Sequence, residues 1–543
     1  MGAVTAGPIV QISLAVIQAL LRRTQALLPP ADYELYESMA RTLQRLDELL
    51  DCRDLTLAKL RQMLFGAQSE RFKDVFPEKA DAPPGEQTSS TNAAAAAREE
   101  PQAAPEKRPG HGRNGALEYA GGERIPVPLS GMKTGCACPS CERGKVYQLE
   151  SGSVVRIVGL PALQGRIYEP ERWRCNVCGE IFTAPLPSGA GDKKYDETAG
   201  SMIALLKYGS GVPFYRLEKL QESLQVPLPA ATQWEIVAEV AKEVKPAWEA
   251  LVTKAAQGAV LHNDDTTMTV LSLKAENAEP EAPERKGVFT SGIVAVDAGW
   301  KAGIFFTGRK HAGERLEELL QRRTTELDLP IQMCDALSRN SPKEFKVILS
   351  NCLVHGRRKF VEQAVNFPAE SHHVLDQLAK VYHHDELAKE QGLNPEQRLA
   401  FHQAQSGPIM ASLKLWLQTQ LAEKRVEANS GFGQASAYML KHWEALTLFL
   451  RQAGAPLDNN ICEQALKMSI LHRKNALFYK TETGALVGDI LMSLIHTCRL
   501  NDVNPFEYLT ALQKHAKRVR AEPNKWLPWN YQEQLKASPK DTG

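Results

Sequence analysis

The stretch from residue 258 to 360 limits the possible fold more than any other part of the chain. It opens with four β-rich segments separated by turns: "GAVLHND", "TMTVLSL", "GVFTSGIVAVDA" and "KAGIFFT". A helical "HAGERLEELLQRR" follows, then the short strand "IQMCDA", then "FKVILSNCLVHGRRKF", an apolar strand running into a basic segment. Short apolar runs bounded by turn residues read as strands, and the longer periodic run reads as a helix. From about 361 to 455 the chain is mostly helical, and a further helix follows Asp458.

A β-meander followed by helix, strand, strand and helix is the element order of an RNase H-like domain. In that fold, acids at the ends of the first and fourth strands and on a later helix converge on one edge. Three residues occupy those slots. Asp264 ends the first strand in "AVLHNDDTTM", Asp335 ends "IQMC", and Glu463 lies in "LDNNICEQALKMSILHRKN". Oxygen donors suit magnesium or manganese. Two such ions about 4 Å apart can activate a water or a 3′-hydroxyl and stabilise the leaving oxygen of a phosphodiester. Each acid also has a plainer reading. Asp264 and Asp265 fit a turn, Asp335 fits a cap, and Asp458 fits the N-cap of the Glu463 helix. With Lys467 four residues on, Glu463 would form a helical ion pair worth about 0.2–0.5 kcal/mol. Two basic clusters favour the phosphodiester reading: "HGRRKF" at 355–360 and "HRKN" at 472–475. Arginine and lysine beside a metal site are what a polyanionic backbone requires, although a solvated basic face is a common alternative.

At 543 residues the chain exceeds one core and is expected to form roughly three or four domains. Its net charge of +1 neither demands nor forbids a nucleic-acid partner. No apolar run approaches the roughly 20 residues that cross a bilayer. The stretch from Ile9 to Leu21 lacks signal-peptide flanks, so a cytoplasmic location is expected. Apolar residues alternate at three and four from Tyr36 to Leu64, a coiled-coil seam. Residues 77–109, rich in Pro, Ala, Glu, Ser and Thr, read as a disordered linker. Cys138-x-x-Cys141 and Cys175-x-x-Cys178 are two thiolate pairs whose spacing suits one structural zinc ion, with Cys136 as a competing ligand. Three helices follow, from about Glu197 to Tyr208, Pro213 to Leu224 and Pro229 onward, with both prolines in first-turn positions. The last two resemble a helix-turn-helix, with Thr232, Gln233 and Trp234 early in the final helix.

The motifs "LFGAQSERF", the two CxxC pairs, "KYGSGVPFYRLE", "LHNDDTTM", "CLVHGRRKF", "DNNICEQALK" with "HRKNALF", and "NPFEYL" stand in the order typical of the transposase of the insertion-sequence 66 family. This resemblance runs from about residue 57 to 530. It implies a DDE-type enzyme whose three acids fall on Asp264, Asp335 and Glu463, holding two Mg2+ (or Mn2+). It places His355, Arg357 and Arg358 in the family's basic motif. With Lys359, Lys467, Arg473 and Lys474 they are the expected DNA-binding residues. It further implies small accessory proteins of the same element and a bacterial, nucleoid-associated location on DNA. The chain departs from the pattern at Thr267, Leu353 and "ALSRN", which leaves Asp265 and Asp297 as fallback acids.

The expected fold class is thus multidomain α/β. It comprises an N-terminal helical and coiled-coil region (1–76), the linker (77–109), a zinc-binding domain (110–190) and a helix-turn-helix-like DNA-binding region (191–250). An RNase H-like catalytic domain (251–500) follows, with a helical insertion at about 361–455 and a C-terminal segment (501–543). The expected partners are double-stranded DNA, both transposon ends and target, and a second copy of the chain through the coiled coil, with no membrane. A structure-specific RNase H-like nuclease, or a non-catalytic transposase-derived DNA-binding protein, are the alternatives.

Overall fold

Strand β1 (Val260–Thr267) is the centre of a five-stranded sheet, and its first four residues are buried. Burial on both faces explains why "VLHN" shows no apolar-polar alternation. β2 (Phe289–Asp297) pairs with β1 antiparallel, and β3 (Trp300–Gly308) pairs with β2 antiparallel. β4 (Ile331–Cys334) runs parallel to β1 on its other side, and β5 (Ile348–Asn351) parallel to β4. The order across the sheet is β3-β2-β1-β4-β5. In this computed structural model the described residues are 190–537 apart from 280–282, together with 162–174, 181–187 and a few isolated positions before them. The chain forms two compact units, Ala80–Arg166 and the remainder, and the elements described belong to the second.

The coiled-coil seam beyond Tyr36, the linker at 77–109 and Cys138, Cys141, Cys175 and Cys178 lie outside the described residues. A two-stranded antiparallel hairpin, Arg172–Arg174 with Ile181–Thr183, flanks residues 175–180. Among the described residues no helix is long and apolar enough to cross a membrane.

Helices α1 (Glu197–Ala204), α2 (Phe214–Ser223) and α3 (Ala230–Ala255) precede the sheet. Pro213 and Pro229 stand at the N-cap positions rather than inside the first turns, where their extended ψ starts the helix. Gln233 is buried, and its amide donates to the carbonyls of Phe214 and Leu228 at 3.1 and 2.9 Å, fastening the α2–α3 turn. The expected strand "TMTVLSL" is instead a crossover into a short helix, α4 (Leu271–Glu276). Val270 forms an isolated bridge with Tyr479, and the N–H groups of Leu271 and Ser272 donate to the carbonyls of Tyr479 and Lys480, drawing the chain off the sheet. α5 (Ala312–Leu320) links β3 to β4, and α6 (Leu353–Val361) leaves β5. The insertion follows as α7 (Pro368–Glu390), α8 (Pro395–Ala422) and α9 (Gly431–Lys441). Its core, including Leu378, Leu413 and Phe432, is continuous with Val260 and Ile331 of the sheet.

Helices α10 (Asn460–Ala476), α11 (Glu482–Leu500) and α12 (Pro505–Lys514) complete the chain's larger elements. α11 solves the problem of an exposed sheet edge. The outward N–H groups of β3, at Lys301, Gly303, Phe305 and Thr307, donate in turn to Asn501, Thr497, Ser493 and Asp489 at 2.7–3.0 Å. A step of four residues along a helix, about 6 Å, nearly matches a step of two along a strand, about 6.8 Å. One polar stripe can therefore satisfy an entire edge strand that would otherwise template aggregation. Close approach is permitted because Gly303 has no Cβ; one added there would lie 2.6 Å from the His496 ring.

Candidate active site

The paired aspartates of "AVLHNDDTTM" are separated by the strand's two-residue period. Asp264 is the fifth of eight residues in β1 rather than its end. Its carboxylate lies on the face covered by α10. Asp265 points to the other face, where its carboxylate meets His311 Nδ1 at 2.8 Å, the N–H of Ala312 at 3.4 Å and Arg339 Nη2 at 3.5 Å. With its side chain only 2% exposed, Asp265 ties β1 to the start of α5 and is removed from the Asp264 site. Asp297 closes β2, accepting the Ala298 N–H at 2.7 Å, and lies five register positions away from the residue opposite Asp264. Neither fallback acid joins the site.

Asp335 follows β4 and meets Asp264 through Asn340. The Asn340 amide donates to Asp335 Oδ1 at 2.5 Å and lies 3.5 Å from Asp264 Oδ1. Asn340 is fully buried, and its carbonyl receives Asn263 Nδ2 and Gln332 Nε2, both at 2.7 Å. The segment "ALSRN", which departs from the family pattern, thus supplies a buried bridge between two acids.

Glu463 arrives on α10. Gly292 stands opposite Asp264 in the β1–β2 register, and its missing Cβ admits Leu466, which would otherwise lie 3.0 Å away. Cys462 Sγ donates to the Gly292 carbonyl at 3.4 Å. The helix start is fixed by Asn459, the N-cap residue in place of the expected Asp458. Asp458 still helps, accepting the Asn460 N–H at 3.1 Å. Fully buried Asn459 meets His262 Nδ1 at 3.1 Å and donates to the Asn263 carbonyl at 3.2 Å. Burial pushes the His262 imidazole down to about 4, against the Asn459 hydrogen bond, so it is neutral near pH 7. Asn459→Ala would leave both partners unpaired. It is expected to cost about 3 kcal/mol, two lost bonds plus stranded buried groups, read as a lowered urea midpoint at unchanged m; a shift under about 0.5 kcal/mol would contradict this role.

The electrostatics of the three acids are joint. Burial pushes the Asp264 carboxyl up to about 7, the N–H of Asp265 opposes the rise, and Asp335, Asp265 and Glu463 add to it. Glu463 does not pair with Lys467. Its Oε1 faces His355 Nδ1 at 3.9 Å, and both atoms are buried without a hydrogen-bond partner. Cys352, His355 and Glu463 bring donor atoms within 4.8 Å of one another.

The basic residues divide into three kinds. Arg358 and Lys359 line a cleft of about 240 Å³ together with Asp335, His355 and Tyr438, and Lys359 Nζ lies 4.4 Å from the Tyr438 ring centroid. Lys467 and Lys474 are exposed on α10, and Arg357 is half-buried on α6. Arg473 turns back onto the strand end, donating to Thr266 Oγ1 at 3.2 Å, to Thr267 Oγ1 at 2.5 Å and to the Thr267 carbonyl. Of the residues that build the site, sequence reasoning missed Asn340 and Asn459. Only Asn459 left a trace, as an amide beside the apolar start of the Glu463 helix.

These acids fall within a recognised sequence family. The profile described as "Transposase IS66 family" matches residues 194–486, a segment that holds the sheet, the insertion and all three carboxylates. The chain belongs to the IS66 transposase family. It is similar to the uncharacterized protein y4jD of Sinorhizobium fredii (strain NBRC 101917 / NGR234), with 24% identity over 517 residues, 91% of this chain and 98% of the relative. The uncharacterized protein y4hP of the same organism is 25% identical over 392 residues, 66% of this chain and 67% of its own length.

Proposed function

We propose that the chain is a DDE-type DNA transposase. It would bind the terminal inverted repeats of its element, hydrolyse one strand at each end and join the freed 3′-hydroxyls to target DNA. The observations that support this reading are the Asn340 amide bridging Asp264 and Asp335, and the charge of Glu463, carried by a distant helix, raising the proton affinity of Asp264. The strand order β3-β2-β1-β4-β5 supports an RNase H-like domain under this site.

The residues fit a divalent metal centre. Glu463 Oε1 is buried and unpartnered, and the proton affinity of Asp264 is lifted by burial and by its fellow acids, so a bound cation would relieve the repulsion among these carboxylates. Asp264, Asp335 and Glu463 would hold two Mg2+ (or Mn2+), which when bound supply Lewis-acid activation of the attacking oxygen and stabilisation of the leaving oxygen. Asn340 keeps the Asp264 and Asp335 carboxylates in one orientation. Arg357, Arg358, Lys359, Lys467 and Lys474 would contact backbone phosphates, sequence-independent contacts that set position rather than specificity. Arg473 holds Thr266 and Thr267, and so acts on the strand end rather than on DNA directly.

Zinc at Cys138, Cys141, Cys175 and Cys178 would fold the N-terminal binding region. The helices at 191–250 would add DNA contacts. The coiled coil would pair two copies so that both ends are processed together, with small proteins of the element as accessories. A strand-transfer assay with a labelled 3′ transposon end tests the whole reading. With Mg2+ or Mn2+ the label should appear in target DNA; cut but unjoined ends would indicate a nuclease, and binding without cutting a non-catalytic factor.

A further inference from the structure

We infer that His355 is a metal ligand through Nδ1, sharing an ion with Glu463, and that the site therefore favours Mn2+ over Mg2+; this rests on the metal-dependent reading above. His355 is the third residue of α6, whose start is fixed on two sides. The Cys352 N–H donates to the Cys334 carbonyl at 2.9 Å, and the Leu353 N–H to the Leu457 carbonyl at 3.0 Å. Those bonds aim the imidazole at α10, where Nδ1 stops 3.9 Å from Glu463 Oε1.

That separation is too long for a hydrogen bond. Yet both atoms are buried and unpartnered, a state that costs about 1–3 kcal/mol per group. Two donors each about 2.1 Å from one ion lie between about 3.0 Å apart at a right angle and about 4.2 Å apart when opposed. A value of 3.9 Å falls inside that span, so a single cation would satisfy both orphaned atoms at once. Cys352 is the third nearby donor. Its Sγ accepts the Asn459 N–H at 3.3 Å and is occupied by that bond, which leaves a nitrogen–oxygen site. Imidazole nitrogen suits first-row transition ions. Mn2+ is the weakest of that series and also takes oxygen ligands, whereas Mg2+ takes oxygen throughout, so a nitrogen donor tilts the choice between these two toward Mn2+.

Pulsed electron paramagnetic resonance on the full-length protein loaded with Mn2+ reads directly bonded ¹⁴N. The wild type should show this coupling, and His355→Gln should lose it. That variant should bind Mn2+ about tenfold more weakly in calorimetry, while its Mg2+ affinity moves by less than about twofold. His355→Asp, which puts an anionic oxygen in place of the nitrogen, should recover binding with the preference turned toward Mg2+. Mn2+ bound without ¹⁴N coupling in the wild type, or equal losses for both ions in His355→Gln, would overturn the proposal. Asp264→Asn separates the two levels. If it abolishes Mn2+ binding while the wild type shows no nitrogen coupling, the acidic site stands and the histidine's role falls.

Discussion

Glu463→Gln is expected to slow strand cleavage and joining by at least about a thousandfold, on the order of 4 kcal/mol of barrier, with end-DNA affinity within about twofold of wild type. The substitution preserves shape and removes only the charge. Glu463 Oε1 has no hydrogen-bond partner and stands 3.9 Å from His355 Nδ1, so neutralising it breaks no hydrogen bond on which the fold depends. Its loss would instead withdraw an anionic oxygen from the proposed metal centre, whose ions would supply the Lewis-acid chemistry. On the proposed reading, DNA affinity would reside elsewhere, in Arg358 and Lys359 of the cleft and in the exposed Lys467 and Lys474. Single-turnover cleavage of labelled ends, beside a gel-shift titration and a thermal melt, separates these effects. Wild-type rates in this variant would remove Glu463 from the catalytic set.

The strands were legible because their chemistry is local. β-branched and aromatic runs bounded by turn residues gave β1 to β5, and acids at the expected slots, two on or just after these strands and Glu463 on a later helix, gave the candidate triad. The choice between Asp264 and Asp265 was half legible. Neighbours in a strand must face opposite ways, so both could not serve one site, but which face α10 covers depends on Leu466 packing against Gly292. What sequence could not supply were contacts between distant segments. Asn459 meets His262 across 197 positions, and Asn340 meets Asp264 across 76. An asparagine carries no periodic signal that names its partner. "TMTVLSL" misled for the same reason. Its β propensity is real, but the hydrogen bonds to Tyr479 and Lys480 that take it off the sheet come from beyond α10. The stripe Asp489, Ser493, Thr497 and Asn501 is visible in hindsight as a four-residue polar repeat in an apolar helix. Its meaning appears only beside the alternating N–H groups of β3.

Asp264→Asn should make the protein more stable while it destroys activity, and the gain should depend on pH. The folded Asp264 carboxyl sits near 7, against 3.8 for an ordinary aspartate. Between those values the folded state keeps a proton that the unfolded chain has released. Stability therefore falls as pH rises from about 4 to about 7 and stays low above that. Three units at 1.36 kcal/mol each set an upper bound, which solvent screening of a partly exposed group reduces to about 2–3 kcal/mol. Asparagine never ionises, so the variant escapes this penalty. Urea unfolding in Mg2+- and Mn2+-free buffer should show the two proteins converging near pH 4 and diverging by that amount at pH 8. Asp489, also pushed up to about 7 by burial, titrates alike in both and cancels from the difference. Millimolar Mn2+ should then narrow the gap at pH 8, because an ion that binds only the folded wild type stabilises it by mass action. A variant no more stable than wild type at pH 8 would mean that the carboxylates do not strain the metal-free pocket. A gap unmoved by Mn2+ would mean that Asp264 does not hold a metal.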